Sequence, residues 1–106
     1  MWLVLDNSFL SIVKDKDNED RLLVRARLKG DIEKIFPEAE VIEGAGSDYK
    51  YRVFIKRDTV SMHLLEKINK INYTNFKSKV ASSDKDRAHT YSKIWSIMYQ
   101  KQEEEN

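Results

Sequence analysis

The stretches RLLVRARLKG (21–30) and DYKYRVFIKR (48–57) decide the fold of this chain. In both, apolar and basic residues alternate, and successive side chains of a strand point to opposite faces of a sheet. Each stretch is therefore predicted to be a strand with one apolar side and one basic side. If the two strands lie in one sheet, their cations and one phenylalanine share a face. The predicted partner-binding residues are Arg25, Arg27, Lys50, Arg52, Phe54 and Lys56.

The segments around these strands predict an α+β fold in the order β-β-β-α-β-β-α-α. Turn residues at 6–8 separate the first two strands, and Pro37 ends a short helix. We expect a curved, mostly antiparallel sheet of about five strands with two longer helices packed on one face. The predicted strands are 2–5, 9–13, 21–28, 39–43 and 49–56. The predicted helices are 32–37, 59–71, a short one within 72–80, and 85–101.

Polar residues before apolar periodic segments predict where the helices begin. Asp31, Asp58 or Thr59, and Asp84 are the predicted caps. Apolar residues at helical spacing predict the buried sides. For helix 59–71 these residues are Val60, Leu64, Leu65, Ile68 and Ile71. For the last helix they are Ala88, Tyr91, Ile94, Trp95 and Met98.

Length and composition place the chain in the globular class. With 106 residues, the chain is predicted to form one α+β domain at 1–101 with an acidic disordered tail at 102–106. It contains no cysteine, which excludes disulfides and thiolate metal ligands and fits a cytoplasmic protein. Asp6, Asn7 and Ser8 interrupt the apolar N-terminal stretch, which is therefore predicted to be a strand pair and not a signal peptide.

The charges are unevenly distributed along the chain, although the net charge is only +1. Residues 1–48 hold 7 basic and 11 acidic side chains, whereas residues 49–101 hold 12 basic and 4 acidic ones. Three consecutive glutamates follow at 103–105. Such asymmetry can steer a charged partner toward one surface.

Motifs for catalysis, metals and cofactors are weak. His63 and His89 have no further ligand at metal-binding spacing, so no metal site is predicted, and acid–base use of either histidine stays open without further support. The carboxylates in DKDNED (15–20) lack the central glycine and distal glutamate of a calcium loop. GAGSDY (44–49) lacks the spacing of a phosphate-binding loop and precedes a strand. We expect no cofactor, and Ser47 and Ser61 have no evident base partner.

Two other uses of the surface stay open. Tyr49, Tyr51 and Phe54 could stack on bases, and Lys77 and Lys79 could add phosphate contacts, although no RNA-recognition consensus is present. Trp95 and Tyr99 near the C-terminus could instead form a dimer patch. No membrane partner is expected, because no run approaches the roughly 20 apolar residues of a membrane span.

Several blocks together resemble a widespread group of short, uncharacterised bacterial proteins associated with phages and other mobile elements. These blocks are MWLVLDNSFLSIV (1–13), LLVRARLKGDIEKIFPEAEV (22–41), DYKYRVFIKR (48–57), INYTNFKSKV (71–80) and AHTYSKIWSIMY (88–99). The group brings no catalytic residue with it. A small, cysteine-free protein with a polarised charge distribution is also similar in size and composition to phage inhibitors of host defence, including anti-CRISPR proteins.

These observations favour a non-enzymatic protein that inhibits or modulates a host protein or nucleoprotein complex through its basic side. The alternative is a nucleic-acid-binding accessory protein that uses the same residues. The third hypothesis is a small enzyme that uses His63 or His89.

Overall fold

The computed structural model describes residues 1–44, 46 and 48–105. The chain divides into two compact units, Met1–Ile71 and Asn72–Asn106. The first unit contains β1 (Trp2–Val4), β2 (Phe9–Lys14), β3 (Arg21–Ala26), α1 (Asp31–Ile35), β4 (Ile42–Glu43), β5 (Tyr51–Lys56) and α2 (Arg57–Asn69). The second contains α3 (Phe76–Ser83) and α4 (Lys85–Glu103). None of the helices in the described part of the chain is both long and apolar enough to cross a membrane.

The five strands form one antiparallel sheet in the order β1-β2-β3-β5-β4, which confirms the predicted α+β class. The two decisive stretches are direct neighbours in this sheet, because β3 pairs with β5 along its whole length. Leu23 lies opposite Phe54, and Arg25 lies opposite Arg52. The two strands are therefore neighbours in one sheet, as the prediction of a shared basic face required.

The core of the first unit lies on the apolar side of these strands. Val24 and Val53 face each other across β3 and β5, and Leu10 of β2 lies opposite Ala26. Helices α1 and α2 cover this side with the residues Ile32, Ile35 and Val60. Burial of these side chains stabilises the sheet. Both helices of this unit lie on the apolar side, so among the described residues no helix of the unit covers the opposite face.

The role predicted for Asp31 is wrong. Gly30, whose φ of 90° suits glycine, is the N-terminal cap of α1, and no side chain caps this helix. Asp31 is instead fully buried, and its Oδ2 accepts a hydrogen bond of 3.0 Å from the Phe9 backbone N–H. The carboxylate thus joins α1 to the start of β2, a contact between distant segments that local sequence does not encode.

The predicted cap of α2 is also wrong, and its predicted buried side is confirmed only in part. Helix α2 starts at Arg57 directly after β5, and its cap Lys56 makes no side-chain capping bond. Of the five residues predicted to be buried, Val60 is buried and Leu64 is half-buried, whereas Leu65, Ile68 and Ile71 are exposed. Helical spacing identifies residues that share a side of α2, but burial also needs a surface packed against that side.

The second unit is a pair of helices, and α4 buries Arg87 and Tyr91. The Asn75 side chain caps α3, and the Asp84 side chain caps α4 as predicted. Arg87 donates a hydrogen bond of 3.1 Å to the Tyr91 hydroxyl, and the Tyr91 ring stacks on Phe76. Helix α4 continues to Glu103, two residues beyond its predicted end and into the predicted tail.

Candidate binding site on the basic sheet face

One face of the sheet, opposite the core, carries most of the predicted site. We call it the basic face. It consists of Arg21, Leu23 and Arg25 of β3 and Arg52, Phe54 and Lys56 of β5. Phe54 is 45% exposed and lies among these cations. The pairing of β3 with β5 therefore brings Arg25, Arg52, Phe54 and Lys56 of the predicted set onto one continuous surface.

Arg25 and Arg52 form a like-charged pair directly across the two strands. Like charges in this position destabilise a sheet. The Nε atoms of both side chains are buried, and neither has a hydrogen-bond partner among the described residues. Arg25 donates from Nη2 to the Ser11 hydroxyl at 2.8 Å, and no carboxylate among the described residues forms an ion pair with either arginine.

Tyr49 lies against the arginines and not in the core, which corrects its predicted place on the apolar side. The Arg25 and Arg27 guanidinium carbons lie 4.5 Å and 4.1 Å from the centre of its ring. Strand β5 begins at Tyr51, so strand alternation does not extend to residue 49. The ring is nevertheless buried, because two cations stack on it.

Two cations of the predicted set already have acidic partners. Arg27 lies just beyond β3 and donates two hydrogen bonds, of 3.2 Å and 3.1 Å, to the Asp48 carboxylate. This contact raises the pKa of Arg27 and lowers the pKa of Asp48. Lys50 lies 3.8 Å from Glu43. Both pairs are exposed and each is worth little stability, but they lower the positive charge available to a partner.

Arg21 belongs to the basic face but was not among the predicted binding residues. Its guanidinium carbon lies 4.8 Å from the centre of the Phe54 ring, and its Nη2 lies 2.7 Å from Asp15 Oδ2. Asp15 is almost fully buried, and the Asp17 backbone N–H, followed by Arg21, lowers the pKa of its carboxyl. The alternation that selected Arg25 also includes Arg21, so the sequence carried this signal. The carboxylate of Asp15 organises the loop after β2.

A cavity of about 390 Å³ adjoins the basic face. Leu23, Ile42, Arg52 and Phe54 are among the residues that line it, together with the charged loop that starts at Lys14. Arg52 and apolar side chains thus meet in one concave surface, which the carboxylates of Asp15 and Asp17 also line.

The two histidines lie on different helices, His63 on α2 and His89 on α4. His63 Nδ1 lies 2.8 Å from the Thr59 carbonyl oxygen, and the His63 ring lies 5.3 Å from Phe36. His89 is exposed on α4. Within the described part of the chain, no group of three or more His, Cys, Asp or Glu residues could hold a metal ion. Ser47 lies outside the described residues.

The residues named for the alternative functions lie mainly on α3 and α4. Lys77 Nζ lies 5.1 Å from the centre of the Trp95 ring, and Lys79 is exposed. Trp95 and Tyr99 stack on each other with ring centres 5.1 Å apart. Tyr51, the second tyrosine considered for base stacking, is buried on the core side. Stacking by Tyr49 and Tyr51 is therefore not supported by their placement.

No family model, no curated protein and no solved structure matches this chain.

Proposed function

We propose that this chain is a small non-enzymatic binding protein whose basic face takes up an acidic surface of a partner protein. The observation that supports this most directly is the pair formed by Arg25 and Arg52, two opposed cations with no carboxylate in salt-bridge contact among the described residues. Arginine suits this role because its planar guanidinium makes two parallel hydrogen bonds to a carboxylate.

The free protein holds two like charges directly across β3 and β5, which destabilises the sheet. A carboxylate bound between the two guanidinium groups would offset this repulsion. Phe54 adds an exposed apolar anchor beside the pair, as interfaces commonly have.

We further propose that the partner belongs to a host complex that the protein inhibits or modulates, in the manner of an anti-defence or anti-CRISPR protein. The support is the resemblance of the sequence blocks to phage-associated proteins, together with the basic face. A surface that accepts carboxylates also accepts phosphates, so it could compete with nucleic acid for such a complex. Nucleic acid itself is the alternative partner.

Reversing both charges, with Arg25→Glu and Arg52→Glu, is expected to weaken partner binding about 100-fold or more. The partner is first captured by affinity purification from the native host, identified and purified. The dissociation constants of its complexes with the wild type and with the double variant are then measured by calorimetry. Circular dichroism checks that the variant is folded.

A control with the same change in net charge is Lys29→Glu with Lys70→Glu, since both lysines are exposed and lie outside the basic face. It is expected to change binding less than about threefold. Equal binding by the wild type and the Arg25/Arg52 variant would refute the proposed site. Binding of a fluorescent oligothymidine that weakens steeply with salt, without any protein partner, would favour the nucleic-acid alternative.

We also propose that α4 pairs with its counterpart in a second copy of the chain. The helix exposes a row of apolar residues that includes Trp95, which is 54% exposed, and Tyr99. The helix begins with the exposed Lys85 and Asp86, and Lys101 precedes the glutamates at 103–105. An antiparallel pair centred on Trp95 would place Lys85 of one copy against these glutamates of the other.

Substituting Trp95→Ala is expected to weaken this dimer at least about tenfold, because an aromatic anchor contributes most of the energy of a small interface. The measurement is the molar mass from light scattering over a concentration series. Thr90→Ala, an exposed substitution on the same helix, is the matched control and should leave the dimer intact. A wild-type chain that stays monomeric at millimolar concentration would exclude the dimer.

A further inference from the structure

Strand β5 has a free edge. Its neighbour β4 is only two residues long and pairs with Arg52 and Tyr51, although a longer strand was predicted at 39–43. Strand β5 continues to Lys56, so within the described part of the chain no strand pairs with its last four residues on that side. An unpaired strand edge presents backbone donors and acceptors that can pair with another extended chain.

Two hydrogen bonds fix which backbone groups face this edge. The Gly44 N–H donates to the Lys50 carbonyl at 2.9 Å, so residue 50 faces β4. The Arg57 N–H donates to the Asp20 carbonyl at 2.7 Å, so residue 57 faces the β3 side. Backbone groups alternate along a strand. The N–H and C=O groups of Phe54 and the N–H of Lys56 therefore face the free edge, whereas the Lys56 C=O, at the N-cap position, accepts the first hydrogen bond of α2.

A groove of about 490 Å³ runs along the same edge. One wall is β5 from Val53 to Lys56, and the other includes the segment 38–40, which departs from β5 before β4 begins. Phe36, Ala39, Thr59 and His63 complete the lining. The groove thus combines a free strand edge with an apolar floor and one histidine.

We propose that an extended segment of the acidic partner adds to β5 as an antiparallel strand and fills this groove. This inference rests on the proposed function and specifies how the partner is held. Backbone hydrogen bonds to Phe54 and Lys56 would supply affinity, and pockets for alternate side chains would supply specificity. An antiparallel arrangement continues the direction in which β4 already pairs with β5.

The two sides of the added strand would need different side chains. In an antiparallel pair, opposed residues lie on the same face, so the side chains opposite Phe54 and Lys56 would lie over the basic face. Acidic residues fit there. The intervening side chains would enter the groove, whose wall carries Glu38 and Glu40, so apolar residues fit better than acidic ones. The recognised segment therefore alternates acidic and apolar residues.

The test uses a fluorescent, end-blocked peptide of alternating valine and glutamate, six residues long. One derivative is N-methylated at its glutamates and a second at its valines, so that charge and side chains are retained. Only alternate N–H groups of an added strand point toward its neighbour. Methylation of the glutamates is expected to weaken binding about tenfold or more, and methylation of the valines to change it less than about threefold.

The protein is varied at the matching position. Lys56 has a φ of −55°, which proline adopts without strain, so Lys56→Pro removes the outward N–H and keeps the local backbone. Lys56→Ala removes the charge and keeps that N–H. We expect Lys56→Pro to bind the parent peptide about three- to tenfold more weakly than Lys56→Ala does.

Equal affinities for the two methylated peptides, or equal binding by Lys56→Pro and Lys56→Ala, would overturn strand addition. No binding of the parent peptide at about 1 mM would overturn it as well. The proposed function would survive these results if the Arg25/Arg52 reversal still abolished binding of the natural partner. The opposite result is also distinguishable. If the peptide bound as expected but the Arg25/Arg52 reversal left the natural partner bound, the proposed function would fail and strand addition would stand.

Discussion

Replacing Asp31 with alanine is expected to lower the free energy of unfolding by about 3 kcal/mol. The carboxylate is fully buried and accepts a hydrogen bond from the Phe9 N–H. It also lies 3.6 Å from the Lys34 ammonium group. Alanine would leave the Phe9 donor without this acceptor and open a small void between α1 and β2. Urea denaturation followed by circular dichroism measures the loss.

Glu33→Ala is the matched control, since Glu33 is an exposed carboxylate on the same helix. It is expected to change the free energy of unfolding by less than about 0.5 kcal/mol. Asp31→Asn keeps the shape and one acceptor oxygen and should fall between the two. Equal stability of the Asp31→Ala and Glu33→Ala proteins would contradict the structural role of Asp31.

Replacing Leu10 with alanine is expected to cost about 2–5 kcal/mol. Leu10 is 0% exposed, lies opposite Ala26 in the sheet, and belongs to the core cluster between the sheet and the two helices of the first unit. Shortening it removes apolar contact and leaves a cavity that the surrounding strands cannot close fully. The measurement is again the free energy of unfolding in urea.

Leu65→Ala makes the same chemical change at a residue that is 59% exposed on α2. It is expected to cost less than about 1 kcal/mol. The comparison also tests the correction to α2, because Leu65 was predicted to be buried. Comparable losses at Leu10 and Leu65 would show that the apolar side of α2 is covered in solution.

The strands could be predicted because their signal is local. Alternation in 21–30 and 48–57 predicted which side of β3 and β5 is basic, and the pairing of Arg25 with Arg52 agrees with it. The alternation could not predict Tyr49, since β5 begins two residues later and the ring turns toward the arginines. A strand pattern holds only while the backbone remains extended.

Helices α1, α2 and α4 begin and end within two residues of their predicted bounds, whereas α3 extends to Ser83, beyond its predicted range. The surroundings of the helices were not predicted. Asp31 has the residue type of a cap and stands at the start of α1, yet it is buried against Phe9. Leu65 has helical spacing with Val60 and Leu64, yet it is exposed. In both cases the outcome depends on what another part of the chain places nearby, which local pattern does not contain.

The sequence by itself determined that β3 and β5 each have a basic and an apolar side, because the pleat of a strand alternates its side chains wherever it pairs. Only the tertiary structure decided that Arg25 opposes Arg52 with no carboxylate in salt-bridge contact among the described residues, and that Arg27 pairs with Asp48. It also decided that β4 stops short and leaves the edge of β5 free. These features arise from pairing between distant segments, whose register depends on the whole core and not on any one stretch.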